Sequence, residues 1–160
     1  MSDRKRILFV DDEARILEGL RRMLRVMRSQ WDMMFAGSAA EALQELETQP
    51  YDVIVSDMRM PGMHGADLLE NVKRKYPRMV RIALSGQTSK EEVLRTVGPV
   101  HQYLPKPCDA DTLKATITRV CSFRDILVNP RLQGLITQLE SLPCISSFYS
   151  ELIEELNSDD

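Results

Sequence analysis

The chain has 160 residues, 43% hydrophobic and 28% charged, with a formal net charge of -3. That is enough for one domain, or one domain and part of another, and the small negative charge gives no electrostatic case for nucleic acid or an anionic membrane. No apolar run nears the roughly 20 residues of a membrane span, the short apolar stretch after Arg6 is too brief for a signal peptide, and the scattered Cys108, Cys121 and Cys144 argue for reduced thiols in a cytoplasmic protein.

In chain order, the first apolar run is RILFV (6–10). A helix is expected after Asp12 and Glu13, with Ile16, Leu17, Leu20, Met23, Leu24 and Met27 facing inward at 3–4 spacing. DMMFA (32–36) is the second run, and SAAE (38–41) reads as a capping box opening a helix with Ala42, Leu43 and Leu46 inward. DVIVS (52–56) is the third, followed by a helix over Asp67 to Lys75 carrying Leu68, Leu69 and Val72. VRIAL (80–84) is the fourth, with a second capping box, SKEE (89–92), before Val93, Leu94 and Val97. HQYL (101–104) is the fifth, and from Asp109 onward Leu113, Ile117, Val120, Cys121 and Leu127 form one stripe. Three of the five runs are nearly continuously apolar, as strands buried on both faces are. The alternation predicts an α/β fold, a doubly wound five-stranded parallel sheet with helices on both faces. Sites in such folds lie at the carboxyl ends of the strands, where strand order reverses.

Those ends carry chemistry. Asp11, Asp12 and Glu13 follow the first run, Asp57 the third, Ser85 and Gly86 the fourth, Lys106 and Pro107 the fifth. Taken singly, each reads as a cap, turn or loop residue. Together Asp11, Asp12 and Asp57 bring three carboxylates to one lysine and one hydroxyl. Clustered carboxylates repel unless a cation sits among them. An all-oxygen set without His or Cys suits Mg²⁺. A carboxylate between Mg²⁺ and the Lys106 ammonium is a nucleophile suited to phosphorus, and Ser85 can donate to a phosphoryl oxygen. His64 and His101 have no partner at ligand spacing and read as structural, and the nine methionines read as packing.

The segments FVDDE (9–13), SDMRMPGMHG (56–65), ALSG (83–86) and YLPKP (103–107) together resemble the receiver domain of bacterial two-component response regulators. The resemblance spans residues 5 to about 125. It implies a CheY-like (βα)5 receiver domain over 1–128 in which Asp57 accepts a phosphoryl group from a sensor histidine kinase or phosphotransfer protein. It implies Mg²⁺ held by the side chains of Asp12 and Asp57, by Asp11 through water, and by the backbone carbonyl of Arg59. Lys106 would contact the phosphoryl group, and Ser85 and Tyr103 would be the switch residues. Met60, Pro61 and Gly65 would shape the loop beside the acceptor, and the peptide before Pro107 would be cis. Threonine is commoner than serine at the position of Ser85, but the hydroxyl is kept. Such a regulator is not an enzyme beyond taking phosphoryl from small donors and losing it again. The competing class is a Mg²⁺-dependent phosphatase of the haloacid dehalogenase type. That class expects Asp-x-Asp after the first strand, where this chain has DDEAR (11–15).

Residues 129–160 are more than a receiver needs. Leu132, Leu135, Ile136 and Leu139 make one apolar stripe; Ile145, Phe148, Tyr149, Leu152, Ile153 and Leu156 make another. LESLPCISSFYSELIEEL resembles the opening helices of an HDOD output domain, a relative of HD phosphohydrolases without their metal ligands. The start of an HD-GYP phosphodiesterase, or a dimerising helical tail, has similar spacing. The two stripes are expected to pack on each other, on the receiver, or on a second copy of the chain, with no direct contact to nucleic acid or membrane.

Overall fold

The computed structural model describes residues 4–86, 100–106 and 108–127. It contains β1 (Lys5–Val10), α1 (Ala14–Met23), β2 (Trp31–Ala36), α2 (Ala39–Thr48), β3 (Val53–Asp57), α3 (Gly65–Lys75), β4 (Val80–Ser85), β5 (Gln102–Pro105) and α4 (Ala110–Leu127). The expected SKEE helix, the peptide before Pro107 and both stripes beyond residue 128 lie outside the described residues. All strand pairs are parallel, in the order β2-β1-β3-β4-β5. The order reverses between β1 and β3, so the expected doubly wound sheet is present with its switch point between those two strands. The five strands start and end within one residue of the apolar runs.

Side-chain alternation divides the core. Ile7, Phe9, Val53, Val55, Ile82 and Leu84 face α1 and α4, where Leu20, Leu24, Leu113, Ile117 and Val120 meet them. Leu8, Val10 and Ile54 face α2 and α3, against Ala42, Leu46, Leu68, Leu69 and Val72. The three central strands are therefore apolar at both parities, which is why their sequences run without alternation.

Helix ends follow local chemistry. Ser38 Oγ accepts from Glu41 N at 3.1 Å, as the capping box requires. The Glu41 carboxylate returns one residue earlier than expected, accepting from Gly37 N at 3.0 Å. Asp109 caps α4, accepting from Thr112 N at 2.7 Å and Thr112 Oγ1 at 3.0 Å. Helix α3 begins at Gly65, two residues before the expected Asp67. One inward assignment fails. Helix α1 ends at Met23, which is 36% exposed, and a 3₁₀ turn over Arg25–Met27 carries Met27 back to the core. Met23 is still in the regular helix, but it falls beside the face that Leu20 and Leu24 bury.

Helix α4 is fastened at the far end of the sheet. Arg124 Nη2 meets Asp52 Oδ1 at 2.7 Å, and Arg124 Nη1 donates to the Asp52 carbonyl at 3.1 Å. No described helix is long and apolar enough to cross a membrane.

Candidate functional site

The switch point brings the expected residues together. Asp11 directly follows β1, and Asp57 is the last residue of β3. Both are buried, at 1% and 6% exposure, while Asp12 is exposed. Carboxylate oxygens of Asp11, Asp12 and Asp57 all lie within 4.8 Å of one another. Lys106 reaches in from beyond β5. Its Nζ is 3.0 Å from Asp11 Oδ2 and 3.1 Å from Asp57 Oδ1.

Backbone bonds fix these groups. Asp11 Oδ1 accepts from Glu13 N at 2.9 Å, closing the turn into α1. Lys106 N donates to the Ser85 carbonyl at 2.7 Å, tying the lysine's backbone to the end of β4. Met58 N donates to the Leu84 carbonyl at 3.2 Å, and Gly65 N to the Met58 carbonyl at 3.1 Å. Between them the loop turns at Gly62, whose φ of 81° is the only positive value among the described residues. Met58 and Met60, at 6% and 4% exposure, anchor this loop in the core. Arg59 N lies 3.4 Å from Asp57 Oδ1, so the loop curls back over the carboxylate.

The charge balance is lopsided. Burial raises the Asp57 carboxyl above the ordinary carboxylate range, and Lys106 only partly offsets it. Burial also works against the Lys106 charge, yet the Asp11 hydrogen bond and the neighbouring carboxylates raise its pKa on balance. The two directions agree once the charges are counted. Three carboxylates face one ammonium, so the lysine is over-supplied with negative charge and Asp57 under-supplied with positive charge. The cluster is two positive charges short, and its donors are all oxygens. That donor set fits a divalent hard cation such as Mg²⁺.

Ser85 and Tyr103 occupy the same side of the sheet. Ser85 ends β4 and is half-buried, its Oγ 3.5 Å from the Gly86 carbonyl. Tyr103 pairs in register with Ala83, two residues before Ser85, and its ring packs on the α2–α3 side of the core. His101 is structural, as expected. It is 6% exposed and its Nδ1 accepts from Arg81 N at 2.9 Å. The buried Arg81 and Ser56 at 0% exposure carried no sequence signal that set them apart, while Gly65, expected in the loop beside the acceptor, lies against the Asp57 carbonyl.

These features are shared with known proteins. Residues 7–118 match the response regulator receiver domain family, and the chain belongs to it. It is 38% identical over 120 residues to the hydrogenase transcriptional regulatory protein HoxA of Cupriavidus necator, covering 73% of this chain and 24% of that protein. It is 33% identical over 95 residues to the DNA-binding transcriptional regulator NtrC of Escherichia coli K12, covering 59% of this chain and 20% of that protein. The chain thus spans a quarter or less of these curated relatives. Among solved structures it resembles the signal receiver domain of an HD domain-containing protein from Pseudomonas fluorescens Pf-5. That match has a TM-score of 0.72 and 28% identity, covering 76% of this chain and 98% of that one. It also resembles the chemotaxis protein CheY4 of Vibrio cholerae, with a TM-score of 0.67, 28% identity, and coverage of 73% and 98%. The described residues are therefore a phosphoryl-accepting receiver domain of CheY-like α/β fold.

Proposed function

We propose that Asp57 is the phosphoryl acceptor, fed by a sensor histidine kinase or a phosphotransfer protein in the cytoplasm. The observation that carries this is Lys106 Nζ bridging Asp11 and Asp57 at 3.0 and 3.1 Å, with Asp12 completing a three-carboxylate cluster. An Asp57 carboxylate oxygen attacks phosphorus, the phosphorus–nitrogen bond to the donor imidazole breaks, and an acyl phosphate forms. Asp11, Asp12, Asp57 and the Arg59 carbonyl would hold Mg²⁺, which neutralises phosphoryl charge when bound. Lys106 supplies the second fixed positive charge. Ser85 then donates to a phosphoryl oxygen, and Tyr103 moves into the space behind it. Turnover is confined to the domain's own acyl phosphate.

We assign residues 129–160 to the start of an HDOD-type output module, on the spacing of LESLPCISSFYSELIEEL. The likeness to the receiver of an HD domain-containing protein supports the related alternative, an HD-type output. The names of the transcriptional regulator HoxA and the DNA-binding regulator NtrC support a further reading, a DNA-binding output. The gene's full reading frame decides between them. The acceptor assignment is tested by beryllofluoride, a phosphoryl mimic. With Mg²⁺ it should raise the melting temperature of the wild type and leave Asp57→Asn unmoved. Equal stabilisation of both proteins would refute the assignment.

A further inference from the structure

Strand β3 reads Val-Ile-Val-Ser-Asp, and its one hydroxyl is fully buried: Ser56 is 0% exposed. By register it lies beside Val10 of β1 and Ala83 of β4, two apolar neighbours. It shares its strand face with Ile54, towards α2 and α3. A hydroxyl there is costly to desolvate unless it is bonded. Ser56 Oγ donates to the Asp57 carbonyl oxygen at 3.0 Å.

The same carbonyl is confined by Gly65, the first residue of α3. A Cβ on Gly65 would overlap the Asp57 carbonyl oxygen and lie 2.9 Å from Met58 Cα. Only a bare Cα fits. The peptide joining Asp57 to Met58 is thus gripped by three contacts. Ser56 Oγ and Gly65 Cα meet its carbonyl, and its N–H donates to Leu84 at 3.2 Å. Beyond it, the Met58 carbonyl accepts from Gly65 N at 3.1 Å. The Asp57 side chain hangs from one end of this peptide, and the chain to Arg59 leaves from the other.

We propose that Ser56 is a positioning residue for the acceptor, acting through the Asp57–Met58 peptide. Its hydroxyl fixes the plane of that peptide, and with it the aim of the Asp57 carboxylate and of the Arg59 carbonyl. Gly65 is the backstop against which the plane is set. The inference rests on Asp57 being the acceptor. The competing account is that Ser56 is merely small enough for a tight place between sheet and helix. Packing alone would be served by alanine or cysteine.

The experiment titrates Mg²⁺ with beryllofluoride against wild type, Ser56→Ala, Ser56→Cys and Asp57→Asn, reading the binding midpoint from melting shifts. Amide exchange at Met58 and Gly65 is read in parallel. Removing one buried hydrogen bond should weaken binding about fivefold in Ser56→Ala, equivalent to about 1 kcal/mol. Ser56→Cys keeps the side-chain shape with a slightly larger atom but is a weak donor, and should fall on the weakened side. Both variants should exchange the Met58 and Gly65 amides faster. Midpoints for Ser56→Ala and Ser56→Cys equal to wild type would overturn the proposal, whatever happens to their melting temperatures. Should Ser56→Ala fail to fold, Ser56→Cys alone decides. A wild type that takes up no beryllofluoride, or an Asp57→Asn that takes it up equally, would instead refute the acceptor assignment.

Discussion

Lys106→Ala removes the cation that bridges Asp11 and Asp57. The side chain is 20% exposed and faces carboxylates that are 2% and 8% exposed, so the pairs are shielded from solvent. Stripping one partner from a buried ion pair costs about 3–5 kcal/mol. The lysine's partial exposure lowers this to about 2 kcal/mol, or about 8 °C of melting temperature for a domain of this size. The pH dependence carries the diagnosis. The Asp57 carboxyl already titrates above the ordinary range because of burial, with Lys106 opposing that rise. Without the lysine its folded-state pKa climbs further. A carboxyl whose folded pKa exceeds its unfolded one binds more protons when folded, so the variant's stability rises as pH falls through the folded pKa. The gap between variant and wild type should therefore be widest at neutral pH and narrow towards acid. Added Mg²⁺ should narrow it at neutral pH by supplying the missing charge. Thermal melts at pH 7 and pH 5, with and without Mg²⁺, measure this. An equal deficit under all four conditions, or no deficit at pH 7, would refute the electrostatic reasoning.

Other outcomes follow from single contacts. His101 is buried beside Arg81 and Lys73, and burial first, then those charges, push its pKa down to about 3. It stays neutral when folded, so its contribution is complete above the unfolded value near 6.5 and is lost as pH falls, at about 1.4 kcal/mol per unit. His101→Asn should flatten that slope between about pH 6 and pH 4 in denaturant titrations. Gly65→Ala should destabilise the domain and slow acetyl phosphate uptake, because its Cβ overlaps the Asp57 carbonyl; uptake at the wild-type rate would contradict the close approach. Ser85→Ala should still be phosphorylated but should lose the Tyr103 ring movement seen by NMR with beryllofluoride. Truncation after residue 128 should change the association state in sedimentation if the two later stripes pack on a second copy of the chain; if they pack on each other or on the receiver, the longer chain's tail should instead be protected in hydrogen exchange.

Much of this architecture is written in the chain because strand burial here is extreme. β1, β3 and β4 are covered on both faces, so each appears as a nearly continuous apolar run. The chemistry sits where those runs stop, which is why Asp11, Asp57, Ser85 and Lys106 could be singled out before any coordinates. Interactions at right angles to the chain were not legible. Nothing in VRIAL marks Arg81 out, yet it is 4% exposed, with His101, 20 positions on, against its backbone and guanidinium. Ser56 reads as part of a strand end until α3 closes over it. Met23 continues the 3–4 spacing but falls beside the face that Leu20 and Leu24 bury. For Arg81 and Ser56 the deciding partner lies on another element.

The central claim is that Asp57, held against Lys106, is where the phosphoryl group goes. Acetyl phosphate with Mg²⁺, read by intact mass and peptide mapping, tests it most directly. The account predicts one added phosphoryl group, about 80 Da, on the peptide carrying Asp57, acid-stable and lost in alkali, and none on Asp57→Ala. A full phosphoryl adduct on Asp57→Ala, or one mapping to any other residue of the wild type, would contradict it.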